Sequence, residues 1–569
     1  MKTDVATLGR RIDVAAGREP ADLAIRGVRL FNLADGSVET TDIAVAGDTI
    51  VGVGAGYRGV EEIDGTGRVA VPGFIDTHLH VESSLVTPPE FDRCVLPRGT
   101  TTAICDPHEI ANVLGRQGIE YFLESAGHTV LDLRVQLSSC VPATAMETSG
   151  AELEAEDLLA YRGHPAVIGL AEFMNFPGVL AKDPGALAKL AAFSDGRIDG
   201  HAPLVTGRDL NAYLAAGVLN DHEATRLEEG REKIARGMHV LIREGSVSRD
   251  LTALAPLIAP DTIQSVALCT DDRNPLDIAE DGHIDHLIRK AIRLGARPLD
   301  AYRAASWSAA RGFGLDDRGL IAPGRLADIV LLDDLEAVAV SAVIKAGRPV
   351  TAERFAARTI PPVVGRGSVR LDPVDPSVFA VPASGPTGPV IGVVDGSIIT
   401  RHLSETLPFS NGHRHPDPAR DILKVCVFAR HGRNRNVGRG FVTGFGLRAG
   451  ALASSVGHDA HNVCVVGVED RDMAVAVNRL IEIEGGFVAV RDGEVIGELP
   501  LPIAGLISDR SFEAVEAALR PLRTAVAGLG CPLAEPFLQL AFLPLPVIPH
   551  LKITDHGLVD VDKFALIAA

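Results

Sequence analysis

The sequence lacks any Cys-x-x-Cys pair, and its seven cysteines are scattered at positions 94, 105, 140, 269, 426, 464 and 531. Scattered single cysteines argue against a disulfide framework and against a thiolate zinc site. This cysteine usage is typical of a protein in a reducing compartment. We therefore predict a cytoplasmic location.

Long apolar runs and dense basic runs are also missing. No apolar stretch approaches the length of a membrane span, and residues 1–20 carry charges without the apolar core of a signal sequence. The formal net charge of -19 argues against a surface for nucleic acid or anionic lipid, which requires a basic patch. We expect no nucleic acid and no membrane as partners, and a small molecule as the ligand.

Aromatic residues are scarce at 4%, but the 46% hydrophobic content is that of an ordinary globular protein. A chain of 569 residues is too long for one hydrophobic core and indicates about three domains. Disorder is not expected beyond local segments.

The N-terminal region has the pattern of a small β-domain. Residues 21–70 alternate apolar and polar side chains and contain Asp35-Gly36, Gly47-Asp48 and Asp64-Gly65, dipeptides that are typical of hairpins. Residues 319–350 have a similar pattern. We predict that residues 1–70 and 319–360 form one flanking β-domain around the middle of the chain.

The middle of the chain, residues 71–318, repeats short aliphatic runs with helical patterns between them. Eight such runs are expected as strands, one within 71–80 and the others at 101–106, 134–141, 167–173, 197–201, 217–222, 239–243 and 265–270. Helices are predicted at 184–193, 210–216 and 226–236. Eight alternating units over about 250 residues predict an α/β fold, a TIM-like (β/α)8 barrel whose chemistry lies at the strand ends.

The segment 71–80, with the sequence VPGFIDTHLH, is the first indication of a site. Side chains alternate between the faces of a strand, so His78 and His80 lie on the same face. Two converging imidazoles indicate a metal site in outline. Alone, the His-x-His pattern is weak, since surface or core histidines have the same spacing.

Polar residues follow the later strands at the corresponding ends. They are DPHE at 106–109, Glu172, DGH at 199–201, DHE at 221–223 and CTDD at 269–272. Taken singly, His201 and His222 are equally explained as loop or core histidines, and Asp271 as a helix cap. Together with His78 and His80 they form an ordered series of imidazole and carboxylate groups, which suits zinc, iron or manganese.

Several longer motifs resemble one known family. They are HVESS at 80–84, CDPHEIAN at 105–112, AEFMN at 171–175, CTDD at 269–272 and ASSVGHDAHN at 453–462. With the opening VPGFIDTHLH, they are similar to the amidohydrolase superfamily and, within it, to the adenine deaminases. The resemblance spans nearly the whole chain.

The resemblance implies hydrolytic deamination of adenine to hypoxanthine and ammonia by a metal-bound hydroxide at a binuclear site. Two divalent ions, manganese or iron with zinc as a further option, are expected on His78, His80, Glu172, His201, His222 and Asp271. Many binuclear relatives bridge the metals with a carboxylated lysine on the fourth strand, but residues 167–172 contain no lysine. Glu172 is the implied replacement, and its alternative is a salt-bridged carboxylate. A homo-oligomer, as a dimer, is also expected.

Catalytic roles follow from the chemistry. Asp271 is the predicted general base, because it lies on the last strand beside the metal site. A second group must protonate the substrate, and Glu82, Asp272 and His108 are candidates that the sequence leaves unranked. Each of the three is equally explained as a solvated loop residue.

Two other functions stay open at this stage. A cyclic-amide hydrolase of the dihydropyrimidinase type would be expected to have the fourth-strand lysine. A non-catalytic scaffold on the same fold would be expected to have lost ligands.

The C-terminal residues 421–569 are predicted to form an α+β domain. Strands are expected at 422–428 and 463–466, helices at 472–484 and 512–522, and a hairpin at 487–500. Residues 361–420 read as an irregular linker, whose His413 and His415 are discounted as ligands. The loop 457–462, GHDAHN, has three interpretations: a lining of the active site, an extra metal site, or a structural turn.

Overall fold

The computed structural model describes residues 4–568, so the outermost bounds of the predicted divisions, residues 1–3 and 569, lie outside the described residues. The first element is the helix Val5–Ala15, whose first turn is capped by the Asp4 side chain accepting from the Thr7 amide. The sequence analysis predicted no helix there.

One eight-stranded sheet joins the two segments that the sequence assigned to a flanking β-domain. In order across the sheet, its strands are Arg348–Pro349, Ala339–Lys345, Ile329–Asp334, Val69–Pro72, Ala21–Phe31, Val38–Ala46 and Thr49–Gly54, and Gly59–Asp64 also pairs with Ala21–Phe31. The two segments meet in this sheet through the antiparallel pair of Val69–Pro72 with Ile329–Asp334.

The dipeptide Asp64-Gly65 does not make the predicted hairpin. The strands on either side of it, Gly59–Asp64 and Val69–Pro72, both pair in parallel with Ala21–Phe31. A Cβ at Gly65 would lie 2.6 Å from the Val28 Cβ. Glycine is needed here because the neighbouring strand comes so close that a side chain would not fit. The sequence analysis interpreted the same glycine as part of a turn between two paired strands.

Eight parallel strands follow. Five form one sheet in the order Ile198–Gly200, Val167–Phe173, Asp132–Leu137, Thr100–Cys105 and Phe74–Leu79, and three form another in the order Asn220–Asp221, His239–Arg243 and Val266–Cys269. All eight predicted runs contain or overlap a strand. The third strand ends earlier than predicted, at Leu137, and the sixth has two residues only.

Backbone hydrogen bonds also join the end strands of the two parallel sheets. The Leu219 amide donates to the Ile198 carbonyl at 2.9 Å, and the Asp271 amide donates to the His78 carbonyl at 3.0 Å. The strands are buried on both faces, with Ile75, Ile104 and Leu241 in one cluster between them. Burial on both faces explains why these strands read as continuous apolar runs.

Helices follow most of these strands. They are Pro88–Val95, His108–Leu114, Arg116–Ala126, Ala155–Leu159, Phe176–Ala181, Pro184–Ala192, Gly207–Ala215, Leu227–Ala235, Leu251–Leu254, Pro275–Glu280, Ile284–Arg293, Pro298–Ala305 and Trp307–Gly312. The three helices predicted from sequence are present within a few residues of their predicted bounds. A short helix, Ala352–Ala356, follows the flanking sheet.

A second eight-stranded sheet occupies the C-terminal region. Its order is Ser397–Thr406, Thr387–Val394, Val437–Thr443, Leu423–Phe428, Val463–Gly467, Ala451–Ser454, Gly486–Arg491 and Glu494–Pro500. The helices Asp470–Glu482, Phe512–Gly528 and Pro536–Ala541 accompany it, and Leu551–Thr554, Gly557–Asp560 and Ala565–Ile567 make a small sheet. Two-residue strands at Val381–Pro382, Phe409–Ser410 and His413–Arg414 form another.

Part of the predicted irregular linker is a hairpin of this sheet. Residues 387–406 form two antiparallel strands that turn at Gly396, which has a φ of 73°. Proline, glycine and serine between 361 and 389 suggested a linker, although the run VIGVV at 390–394 is apolar. The helix that begins at Phe512 also runs beyond its predicted end, past Pro521, to Gly528.

No helix within residues 4–568 is both long enough and apolar enough to cross a membrane. All seven cysteines are free thiols, as their scattered positions predicted.

Candidate metal centre

The six predicted metal ligands lie together at the carboxyl ends of the parallel strands. His78 is in the first strand and Glu172 in the fourth, and the other ligands follow strand ends. All six side chains are buried, with exposed fractions from 0% to 5%. The six residues are His78, His80, Glu172, His201, His222 and Asp271. The fold therefore brings all six side chains into one buried space.

Glu172 lies at the middle of this group. Its Oε1 is 3.5 Å from His78 Nε2 and 3.3 Å from His80 Nε2. Its Oε2 is 2.7 Å from His201 Nδ1 and 3.3 Å from His222 Nε2. Burial alone would raise the pKa of Glu172, but the imidazoles, His222 and His78 foremost, hold that pKa well below its usual range.

The two oxygens of Glu172 thus face different pairs of histidines. Each oxygen of this carboxylate therefore has its own pair of imidazole neighbours.

Hydrogen bonds from outside the group orient its members. His80 Nδ1 lies 3.0 Å from the Asp106 carbonyl oxygen. A carbonyl only accepts, so Nδ1 carries the hydrogen and the lone pair of Nε2 faces Glu172 and Asp271. His80 is therefore held in the tautomer that a metal ligand needs.

Asp271 uses its two oxygens differently. Oδ1 lies 3.2 Å from His80 Nε2 and 3.6 Å from His78 Nε2, whereas Oδ2 accepts a hydrogen bond from Arg243 Nη1 at 2.8 Å. Burial opposes ionisation, but His78, His80 and Arg243 hold the pKa of Asp271 well below its usual range. Asp271 is an ionised carboxylate with one oxygen directed at the histidines.

These residues fit a divalent metal. Both ring nitrogens of His78 and Nε2 of His201 are buried and have no hydrogen-bond partner. Two sets of three ligand atoms are close together among the described residues. Within each set the atoms lie within 4.8 Å of one another, and the sets are His78, His222 and Asp271, and His78, His80 and Glu172. Buried imidazoles without partners are costly in an empty protein, and a bound cation supplies their missing interaction.

Arg243 is a site residue that the sequence analysis missed. It is fully buried at the end of the seventh strand, and its guanidinium also pairs with Glu223 and with Asp250 at 3.1 Å. The signal was available, because Arg243 directly follows the apolar residues 240–242 at the end of its strand. It was overlooked because arginine at a strand end is usually solvated.

The three candidates for the second catalytic group are all buried. Exposed fractions are 1% for Glu82, 2% for His108 and 7% for Asp272, so they are not solvated loop residues. His108 and Asp272 line the same cavity as five of the ligands, which are His80, Glu172, His201, His222 and Asp271. Glu82 accepts from the Ile110 amide at 3.2 Å, and burial and Glu109 raise its pKa to about 8.

The C-terminal loop 457–462 reaches this cavity. His458 and Asp459 line it, together with the apolar side chains of Ile398, Phe542 and Leu545. His458 stacks on Phe542 with ring centroids 4.5 Å apart. Two residues of this loop therefore line the site, as one of its three interpretations expects, and the other two interpretations stay predictions. His413, by contrast, contacts the Asn411 carbonyl in a local hairpin.

Two family models match the chain. Residues 69–350 match the amidohydrolase family, and residues 397–565 match the adenine deaminase C-terminal domain. Adenine deaminases of Methylobacterium nodulans and Gluconobacter oxydans are each 63% identical to the chain, over 99% of this chain and 100% of theirs. The adenine deaminase of Cereibacter sphaeroides is 61% identical over 99% of both chains.

Removing Arg243 should destabilise the protein strongly. Arg243→Met leaves Glu223, Asp250 and Asp271 buried without their cation, and breaking such a pair costs about 3–5 kcal/mol of unfolding free energy. Denaturant unfolding of the metal-loaded protein measures this loss. Arg249→Met is the control, since that side chain is 46% exposed and its pair with Asp277 should contribute about 1 kcal/mol or less. Equal stability of the two variants would contradict the assignment.

Proposed function

The chain belongs to the adenine deaminase family of the amidohydrolases, and we propose that it hydrolyses adenine to hypoxanthine and ammonia. Full-length identity of 60–63% to adenine deaminases is the observation that carries this conclusion. The buried group of four histidines and two carboxylates supports it, because amidohydrolases depend on metal.

We infer that the six ligands would hold two divalent ions, with Glu172 as a ligand shared by the group. The absence of thiolate among the ligands favours manganese or iron, and zinc also suits imidazole and carboxylate. When bound, such ions act as Lewis acids and lower the pKa of a coordinated water from 15.7 to about 7. The protein contributes the positions of the ligands and their hydrogen-bond partners.

Asp271 is the proposed general base. Its Oδ1 faces the space between the histidines, and the hydrogen bond from Arg243 to Oδ2 keeps the carboxylate ionised and fixed in orientation. Because Arg243 also weakens the basicity of Asp271, a proton accepted at Oδ1 can be passed on to the departing amine.

His108 and Asp272 are the proposed donors to the ring nitrogen, since both line the cavity where a purine would bind. His108 is oriented by Asp106 Oδ2, 2.8 Å from its Nδ1, and Asp272 Oδ1 accepts from the Ser83 hydroxyl. Glu82 lies behind them, against the Ile110 amide. Glu82 as the alternative proton donor to the substrate stays a prediction.

The C-terminal region is proposed to exclude water from the reaction. Ile398, Phe542 and Leu545 place apolar surface opposite the strand ends, and His458 and Asp459 reach in from the same side. A closed, dry site strengthens the electrostatic interactions of Asp271 and Glu172.

We also propose that the two parallel sheets close into a (β/α)8 barrel, since backbone hydrogen bonds link them at both seams. In this division, residues 71–318 are the barrel, and the flanking sheet and the C-terminal region from 387 are separate units. The dimer and the cytoplasmic location stay predictions.

A substrate panel tests the proposed reaction. The purified, metal-loaded protein should release ammonia from adenine and form hypoxanthine, with far slower turnover of adenosine, guanine and hydantoin. Ammonia release and chromatography of the products measure this. Hydrolysis of hydantoin without turnover of adenine would favour a cyclic-amide hydrolase and contradict the proposal.

Replacing Asp271 separates chemistry from binding. Asp271→Asn preserves the shape of the side chain but removes the base, so we expect kcat to fall at least about a hundredfold with a smaller change in KM. Steady-state kinetics with adenine and parallel metal analysis are the measurements. Asp261→Asn, at an exposed position before the eighth strand, is the control. Near-full turnover of Asp271→Asn at normal metal content would assign the base to another residue.

A further inference from the structure

Lys552 is a fully buried lysine outside the metal centre. It lies in the strand Leu551–Thr554, and its Nζ donates to two backbone carbonyls, that of Ile398 at 2.8 Å and that of Phe542 at 3.0 Å. The two carbonyls are 144 positions apart in the chain. One side chain therefore joins three separate segments of the C-terminal region.

This lysine is buried without an ion pair to any carboxylate in residues 4–568, and that is unfavourable for an ammonium group. Burial lowers the pKa of Lys552 to about 7, and the negative charge of Glu223 opposes this shift. Lys233 is equally buried but pairs with Asp221 and Glu229. An amine donates to both carbonyls in either protonation state. The two hydrogen bonds are thus what a lysine adds here that an apolar side chain would not.

Both carbonyls belong to residues that line the cavity of the metal centre. The side chains of Ile398 and Phe542, together with Leu545, form what we call the apolar wall of this cavity. Lys552 holds the backbone directly behind two of the three members of the wall. Its hydrogen bonds therefore fix the position of the wall relative to the metal ligands.

The apolar wall leaves little free space. The cavity has a volume of 20 Å³, which is room for about one water molecule. The Phe542 ring also stacks on His458, with ring centroids 4.5 Å apart. A base can enter only as the wall shifts outward, so the extent of that shift decides which molecules fit.

The proposed deamination fixes which end of a purine meets the wall. The amino group leaves from C6, so C6 must face the metal ligands at the strand ends. The five-membered ring, with N9, then extends toward the opposite side, where Ile398, Phe542 and Leu545 lie. A methyl group or a sugar on N9 would require the wall to retreat further than a free base does.

We propose that Lys552 is a positioning residue that sets substrate specificity. By tying the Ile398 and Phe542 carbonyls to one nitrogen, it limits how far the apolar wall opens, and the site accepts a purine base with an unsubstituted N9. This inference rests on the proposed deamination, because that reaction sets the orientation of the base. Lys552 acts on the substrate only through the wall.

Binding of two molecules that do not react tests the proposal. Calorimetry on the full-length, metal-loaded protein gives Kd for hypoxanthine and for 9-methylhypoxanthine. A fixed pocket rejects one extra methyl group by about 10–200-fold, so we expect the wild type to bind the methylated base about a hundredfold more weakly. Lys552→Met frees the wall and should reduce this ratio to about tenfold or less.

Lys424→Met is the matched control. Lys424 is also buried in the C-terminal region, but it pairs with Asp470 at 2.5 Å instead of holding the wall. This variant should lose stability and keep the wild-type ratio of dissociation constants. Equal binding of both bases by the wild type, an unchanged ratio in Lys552→Met, or an equal reduction in Lys424→Met would overturn the proposal.

Wild-type crystals soaked with hypoxanthine keep the test independent of variant folding. Both hydrogen bonds of Lys552 Nζ should persist, with the five-membered ring of the base against Ile398 and Phe542. Loss of either hydrogen bond, or a base whose N9 faces away from the wall, would contradict the inference. Ammonia release from adenine by the same preparation tests the deamination separately, because hypoxanthine binding needs no turnover.

Discussion

The structure depends on one electrostatic constraint: a carboxylate, Glu172, lies buried among four imidazoles and a second carboxylate, Asp271. Such groups are stable in a dry interior only when oppositely charged partners or hydrogen bonds replace the lost water. Parallel strands meet this need, because their carboxyl ends fix side chains from distant parts of the sequence at one edge. A second layer then sets orientation, with the Asp106 carbonyl on His80 and Arg243 on Asp271.

The C-terminal region completes this environment from the opposite side. The Asn462 side-chain amide donates to the Thr148 carbonyl at 3.0 Å, and the Ser508 amide donates to the Leu85 carbonyl at 2.9 Å. These bonds hold His458 and Phe542 against the cavity. The site is therefore shared between two regions of the chain, which is why neither region explains the chemistry alone.

Much of this arrangement could be predicted from sequence because it rests on local periodicity. Strand alternation placed His78 and His80 on one face, and the rule that parallel strands end at a common edge brought Glu172 and Asp271 to them. Arg243 was missed because its role depends on pairing with Glu223, Asp250 and Asp271, carboxylates that no sequence periodicity connects to it. The contact of His458 and Asp459 with His108 and Glu109 likewise needs the tertiary structure, since no spacing connects residues 350 positions apart. The hairpin 387–406 was missed because glycine and proline are typical of linkers and of tight β-turns alike.

Metal depletion and reloading of the wild-type protein test the central claim most directly. Protein stripped by chelator should lose adenine turnover while remaining folded by circular dichroism, since the ligands are preformed on rigid strand ends. Added Mn²⁺ should restore hypoxanthine production and raise the melting temperature, because the ions bind only the folded state. Full adenine turnover by protein with far less than one metal ion per chain would contradict the assignment of the buried histidine and carboxylate group as a catalytic metal centre.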